Sequence, residues 1–478
     1  MVAPVGTDPS SDATGEVQFE LTTVPAGAQC LRVTATPASG STMTQTQSLT
    51  AGASSSSLSL TALPQGMLSL SASAYNAACT SLGSAVATWV ADPVTTTIRP
   101  GVITKVSLTL RANNAVSTSV NFAPNIQSIA AGGNNTFVLT GAAPLQFGYL
   151  AFTNVPTPIP SAPTNFTAIA SGAIHACGIR ADGTVWCWGW NSDGQAGPNV
   201  SLNNISQTPV QVPLTGTYTL IAAGLYHTCA LRAQGPNALG NQSVFCWGRN
   251  DHGQLGNGTT TSSATPVEAV GINGFAIRPI RTLSAGDWHN IAVSGDGNIV
   301  AWGDNSYGQL GDNSTTGALT PKLIFGTTAI AAVGGLGHTC AVQTDSTVKC
   351  WGANYSGQLG DGTTAQRMSP VKVSGLPGPV KQLVAGEHNT CALLTSGQLY
   401  CWGNNREGEL GDFSAVDRWT PVQVGFGSET ALGIAGGAGH TCALTSGPGL
   451  WCWGQNDQGQ IGDGTNFYAF GPTKVLLQ

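Results

Sequence analysis

The chain has 478 residues and a net charge of −6, with 63 glycines and only 8% charged residues, against the ~25% usual for globular proteins. Its 17 lysines and arginines are scattered over the whole length, which excludes a basic nucleic-acid binder, while 41% hydrophobic residues and 12 tryptophans exclude extended disorder. No run of ~18 apolar residues occurs, so no membrane-spanning helix is expected.

Residues 1–15 are rich in Ser, Asp, Pro and Gly and read as a flexible leader. The start, Met1-Val2-Ala3-Pro4, has neither a basic nor an apolar signal region, so any export signal is expected to have been removed already. From Glu16 the pattern changes to period two: Val17/Phe19/Leu21, Leu31/Val33/Ala35, Leu58/Leu60, Leu68/Leu70/Ala72 and Val106/Leu108/Leu110 alternate with polar residues. One face of each such strand meets a core and the other meets water. This predicts a small antiparallel β-sandwich over 16–112, immunoglobulin-like or prealbumin-like, with Cys30 and Cys79 as its disulfide. Residues 113–124 read as a linker.

Beyond the linker one block recurs seven times: Gly132 to Phe137, Gly172 to Cys177, Gly224 to Cys229, Gly286 to Ile291, Gly335 to Cys340, Gly386 to Cys391 and Gly437 to Cys442. Each is followed by an apolar strand, a turn, and an aromatic-Gly strand end, from Phe147-Gly148 and Trp188-Gly189 to Trp453-Gly454. All but the first then carry an Asn-x-x-Gly-Gln-Leu-Gly-like turn, such as Asn305 to Gly311. Repeats of four short strands cannot bury both faces alone, and seven of them close into a seven-bladed β-propeller. The fold class is therefore all-β, with the propeller over 125–478 preceded by the sandwich. The terminal Pro472-Thr473-Lys474-Val475 matches strands such as Pro421-Val422-Gln423-Val424, read here as opening a repeat. The C-terminus is accordingly expected to pair with the strand near Ile126–Ala130 and close the ring.

The block Ala-Gly-x-x-His-Thr-x-Ala-Leu followed by Trp-Gly-x-Asn-x-x-Gly-Gln-Leu-Gly resembles the repeat of the regulator of chromosome condensation family, over roughly 125–478. The resemblance implies a seven-bladed propeller and says less about activity, because function belongs to sites rather than folds. The fold is also similar to that of secreted propeller-type β-lactamase inhibitor proteins, whose aromatic density on equivalent turns is greater than here.

Ten cysteines in the repeats fall as Cys177/Cys187, Cys229/Cys246, Cys340/Cys350, Cys391/Cys401 and Cys442/Cys452. Four pairs flank a tight turn symmetrically, which sets them opposite each other in a hairpin, ~4.5–5.5 Å apart at Cα and within reach of a disulfide. Both cysteines are absent together in two units, which hold Phe137/Gln146 and Ile291/Ala301 instead. Bonded partners have no reason to survive singly. Disulfides persist in oxidising compartments, so an extracellular or cell-surface location is expected. The low charge and the Thr/Ser/Gly/Asn-rich composition fit a secreted bacterial protein. A nuclear exchange-factor activity, known in the resembling family, is not carried over, since nuclear thiols stay reduced.

The recurring His175, His227, His289, His338 and His440 are replaced by Asn135 and Asn389 in the other units, which keeps hydrogen bonding and loses acid–base chemistry. They read as structural anchors, and the recurring tryptophans as packing between blades. The Gly-Asp-Gly-Thr pieces at 360–363 and 462–465 supply about one carboxylate each and read as turns rather than calcium sites. No cofactor or metal is called for. The informative positions vary between the fixed Gly and His. Leu225-Tyr226, Asp287-Trp288 and Glu387-His388 are the candidate binding residues. By repeat symmetry they share one face of the disc. A non-enzymatic binder of a protein or surface glycan follows. The alternatives are a secreted hydrolase or lyase using Asp287, Glu387, Glu407 or Glu409, and a subunit of a surface appendage.

Overall fold

The computed structural model describes nine segments of the N-terminal region (15–21, 29–37, 42–49, 56–63, 66–75, 79–81, 89–98, 103–108 and 111–112) and residues 126–477 apart from 141–142, 234–241, 272–278 and 448. The expected leader, except Gly15, and the expected linker lie outside the described residues. Contacts divide the chain into two units, Met1–Phe122 and Ala123–Leu477.

The N-terminal unit holds β1 (Gly15–Leu21), β2 (Cys30–Pro37), β3 (Met43–Ser48), β4 (Ser56–Leu63), β5 (Gly66–Tyr75), β6 (Trp89–Ile98), β7 (Ile103–Leu108) and β8 (Arg111–Ala112). They form a three-stranded sheet, β4-β1-β7, and a five-stranded sheet, β3-β2-β5-β6-β8. The sequence expectation of a wholly antiparallel arrangement is corrected here: β1 runs antiparallel to β4 but parallel to β7, with Val17 opposite Thr104. Period two identifies a strand but carries no information on the direction of its neighbour. The β5–β6 part of the other sheet intervenes between β4 and β7, and a crossover of that length permits a parallel return. Cys30 is bonded to Cys79, and β2 buries Cys30, Leu31, Val33 and Ala35.

The second unit is built from seven four-stranded antiparallel sheets, each from one contiguous stretch of chain. The first comprises β9 (Ser128–Ala131), β10 (Asn135–Leu139), β11 (Leu145–Gly148) and β12 (Thr153–Pro158) in simple meander order. Blades 2 to 7 follow over 166–211, 218–268, 280–324, 329–372, 380–424 and 431–474. First strands such as Phe166–Ser171 and Val380–Ala385 line a central channel, and fourth strands such as Arg418–Val424 lie at the periphery.

The expected closure by strand pairing does not occur. The Pro-Val segments form the last strand of each blade, not the first, and the C-terminal strand Ala469–Lys474 pairs only within blade 7. The first repeat supplies its own fourth strand, β12, so no ladder position is left open for the chain end. Closure comes from packing and hydrogen bonds instead. Val475 and Leu477 join Cys442, Leu450 and Ile461 of blade 7 in a cluster with Val138 and Phe147 of blade 1. Main-chain bonds also run from blade to blade around the channel mouth: Ala173 N to Leu225 O, Leu225 N to Asp287 O, Asp287 N to Gly335 O, Leu336 N to Glu387 O, Glu387 N to Ala438 O, and Ala438 N to Gly132 O. Gly133 N to Gly172 O completes the circle.

The repeated motif is the chemistry of the blade junction. Each buried tryptophan packs against the preceding blade; Trp351, for example, sits with Ile291, Val293, Ile299 and Leu310. Its indole Nε1 donates to Gln309 O at 2.9 Å, and the same carbonyl accepts from Thr339 Oγ1 at 2.7 Å. That threonine then accepts from His289 Nε2 at 2.8 Å, because its own proton is already committed to the carbonyl. The bond fixes a neutral Nε2–H tautomer. The glycine before each histidine is equally constrained: a Cβ on Gly335 would lie 2.3 Å from His338 Cε1 and 2.4 Å from Gly386 O. Asn389 occupies the same place in blade 6, with its Oδ1 only 2.2 Å from a Cβ built on Gly386.

The cysteines of the repeats pair within their hairpins as the turn symmetry predicts. Cys177 is bonded to Cys187, Cys229 to Cys246, Cys340 to Cys350, Cys391 to Cys401 and Cys442 to Cys452. Each pair holds directly facing positions on the second and third strands of its blade. The Cα atoms stand 4.1 Å apart in all five, slightly closer than the ~4.5–5.5 Å expected of facing strand residues. Ile291 faces Ala301 and Phe137 faces Gln146 at the two uncrosslinked positions.

Blade 1 lacks the Asn-x-x-Gly-Gln turn and has a short 3-10 segment, Tyr149–Ala151, in its place. Consequently Trp188, buried on Phe137 and Phe166, has no partner for its Nε1 among the described residues. Trp351→Phe is therefore expected to cost about 1 kcal/mol more than Trp188→Phe, the worth of one buried hydrogen bond. Urea unfolding of the two variants checks this, and equal costs would deny the indole bond any part in holding the junction.

Candidate functional site

The variable pairs sit in the loops joining the first and second strands of successive blades, so the fold brings them to one end of the channel. Leu225, Asp287 and Glu387 line the channel itself, a cavity of about 290 Å³. Tyr226, Glu387 and His388 line an adjoining depression of about 600 Å³, together with Arg406, Glu407 and Glu409. All six sequence-chosen residues are half-buried.

Two aromatic groups flank this mouth. The Tyr226 and Trp288 rings lie 5.8 Å apart, and His252 lies 5.3 Å from Trp288. The Arg249 guanidinium covers Trp288 at 4.8 Å and pairs with Asp251 at 2.6 Å. On the other side Tyr355 stands 6.4 Å from Tyr307 and 5.1 Å from the His388 ring, with Tyr355 Oη 2.7 Å from His388 Nδ1. Burial, then the charges of Tyr307, Glu387 and Asp287, push the Tyr355 hydroxyl up to about 12.

The carboxylates behave unlike surface acids. Asp287 is pushed up to about 7, chiefly by burial and secondarily by the charge of Glu387. Burial also raises Glu387. Glu407 is raised by burial and then by Glu409, Asp457 and Glu387. Glu409 is different: it takes the place of the glutamine in its turn, is 3% exposed, and accepts from Glu407 N and Asn404 Nδ2. It is a turn-closing residue and no free carboxylate of the face. Asp361 and Asp463 accept from the threonines of their own turns. Among the described residues no group of three or more His, Cys, Asp or Glu side chains could hold a metal ion.

Arg249, His252, Tyr307, Tyr355 and Arg406 belong to this face and were not singled out from the sequence. They occupy or border the variable positions of the Asn-x-x-Gly-Gln turn, which descends from the third strand beside the Gly-x-x-His loop. The signal was present as variation inside a second fixed frame. Only the fold shows that the two loops share one end of the blade.

The chain matches the model of the RCC1-like domain over residues 141–478. It is 31% identical over 318 residues to the ultraviolet-B receptor UVR8 of Arabidopsis thaliana, covering 66% of this chain and 70% of that protein. It is 28% identical over 309 residues to the human E3 ubiquitin-protein ligase HERC2, covering 64% of this chain but only 5% of that much longer protein. Among solved structures, yeast RCC1 (Prp20) bound to Kap60 superposes with a TM-score of 0.62 at 19% identity, over 77% of this chain and 91% of the other. Human WBSCR16 superposes at 0.59 with 22% identity, over 68% of this chain and 85% of the other. With seven successive blade sheets, inter-blade His–Thr and Trp–carbonyl bonds, and a domain match over most of its length, this chain belongs to the family of RCC1-like domain proteins.

Proposed function

We propose that the chain is an extracellular or cell-surface binding protein, a secreted bacterial member of the family, that captures a protein partner on the channel-mouth face of its propeller. The observation that carries this reading is the Tyr226–Trp288–Arg249–His252 cluster on a rigid rim. Part-exposed aromatic and arginine side chains of this kind supply a disproportionate share of binding energy. Five buried blade disulfides support an oxidising compartment. Yeast Prp20p, which shares the fold, binds proteins, with Gsp1p and histones as its partners. Residues 16–112 serve as a β-sandwich spacer or second adhesion module, after a leader over 1–15 and before a linker over 113–124. The propeller then occupies 125–478.

Trp288→Ala and Tyr226→Ala are each expected to weaken capture of the partner from culture medium or intact cells by about 30-fold, the ~2 kcal/mol of a binding hot spot. Phe325→Ala serves as control, since Phe325 lies beside the 344–347 hairpin turn at the opposite end of the blades. Wild-type capture by both face variants would defeat the reading. One observation favours a second reading: Asp287 and Glu387 share the channel, and after burial the charge of Glu387 helps to raise Asp287, as in the paired carboxylates of a hydrolase or lyase. Turnover of a chromogenic substrate that is lost in Asp287→Asn would select it.

A further inference from the structure

The channel mouth has an electrostatic peculiarity that the protein does not resolve within itself. Among the described residues its lining is made of Ala, Gly, Val, Ile and Leu with two serines, and Asp287 and Glu387 are the only charged residues in it. Among the described residues no lysine or arginine lines the cavity. Arg406 reaches only the outer depression, and Arg249 is already paired with Asp251. Asp287 as a residue keeps partial exposure to the channel, yet its Oδ2 is shielded from solvent and has no hydrogen-bond partner among the described residues. Two carboxylates that line one cavity, one with an unpaired oxygen, make a site whose missing element is a cation.

We propose that the channel mouth receives one cationic side chain of the partner protein, a lysine or arginine, whose charged end is neutralised by Asp287 and Glu387. This rests on the reading that a protein docks on this face. Size supports a side chain over a folded element, since about 290 Å³ lies at the bottom of the ~300–1,000 Å³ range of small-ligand sites. Chemistry supports it as well. The hydrocarbon stem of lysine or arginine is at home among Leu225, Leu283, Val333 and Val384 while its charged end meets oxygen. The depression of about 600 Å³ shares Gly133, Ala173, Leu225, Glu387 and Ala438 with the channel and so opens directly onto it. It offers room for the main chain that carries the inserted residue, and a free amine would leave it unused.

The test uses the full chain and two matched probes, Nα-acetyl-lysine methylamide and Nα-acetyl-norleucine methylamide, which keeps the four-carbon stem and lacks the ammonium, titrated by ligand-observed NMR. The lysine probe is expected to bind saturably and at least tenfold more tightly than the norleucine probe. Asp287→Asn and Glu387→Gln are each expected to weaken the lysine probe tenfold or more while leaving the thermal midpoint at or above wild type, since each removes an uncompensated buried charge. Equal binding of the two probes, no saturable binding of the lysine probe, or wild-type affinity in both variants would overturn the proposal. Partner capture separates the two layers. Loss of capture in Trp288→Ala with full capture in Asp287→Asn and Glu387→Gln keeps the docking face and rejects the inserted cation. Full capture in Trp288→Ala, with the lysine probe still bound by wild type, means a free organic cation is the ligand and rejects the proposal at its premise.

Discussion

Removing the five blade disulfides is expected to destabilise the propeller by about 3 kcal/mol per crosslink, on the order of 14 kcal/mol in total on the chain-entropy relation for these loop lengths. That sum is comparable with the whole folding free energy of an ordinary domain. The effect falls mainly on the unfolded chain, which regains the freedom that five closed hairpins deny it. The bonded sulfurs belong to residues with 0% exposure, so reductant alone is expected to act slowly on the native protein and quickly once blades open. Blade 4 provides a template for an uncontaminated test, because Ile291 and Ala301 fill the same facing positions with no crosslink. The double substitution Cys340→Ile with Cys350→Ala keeps the apolar filling and deletes only the bond. It is expected to cost about 3 kcal/mol in urea unfolding. Unchanged midpoints in this variant, or in fully reduced wild type verified by mass, would mean that blade packing alone carries the stability.

Acidification is the second large effect. Burial lowers His175 and His338 to about 3 and His227, His289 and His440 to about 4, all from an ordinary value of 6.5. Between pH 6.5 and 4 the unfolded chain therefore binds more protons than the folded one, so stability increases with pH in that window and falls as acid is added. Each histidine contributes about 1.4 kcal/mol per pH unit well below 6.5, roughly 7 for the five. The raised Asp287 and Glu387 act in the opposite sense, because the folded state takes up their protons first, and they offset part of the slope. Asp312, Asp361 and Asp412, held low in part by their Lys322, Arg367 and Arg418 partners, add a further loss at lower pH as they are protonated. Urea midpoints at pH 7, 6 and 5 should fall steeply. His338→Asn, which installs the residue that blade 6 already uses at Asn389, should flatten the slope by one histidine's share. A midpoint independent of pH over that range would show that these rings are charged in the folded state.

Most of the propeller was legible in the sequence, since each repeat carries its junction in full. The Gly-x-x-His-Thr block, the buried Trp and the Asn-x-x-Gly-Gln-Leu-Gly turn form one hydrogen-bonded unit, so their spacing reports the fold directly. Cysteine pairs were legible for the same reason: hairpin symmetry places residues flanking a turn, such as Cys391 and Cys401, opposite each other. The paired loss of both cysteines in two blades acted as an internal control. Strand assignment at the repeat edges failed because a Pro-Val strand reads alike whether it closes one sheet or opens the next. Only hydrogen-bond partners distinguish the two, and these place it at the end.

The candidate face divides along the same line. Sequence alone determined that Leu225-Tyr226, Asp287-Trp288 and Glu387-His388 lie at equivalent loops, because repeats of one fold share one orientation. It also determined that the recurring histidines are anchors, since asparagine replaces them. Tertiary structure decided which of these loops act together. Curvature brings residues about 100 positions apart, Asp287 and Glu387, into one channel lining and sets the Arg249 turn beside Trp288. It also turned Glu409 inward while Glu387 was left without a counter-ion in the channel. Local pattern fixes which segments are strands and turns and which residues are interchangeable. The field at a carboxylate depends on burial and on charges from other blades, and those distances exist only after the circle has closed.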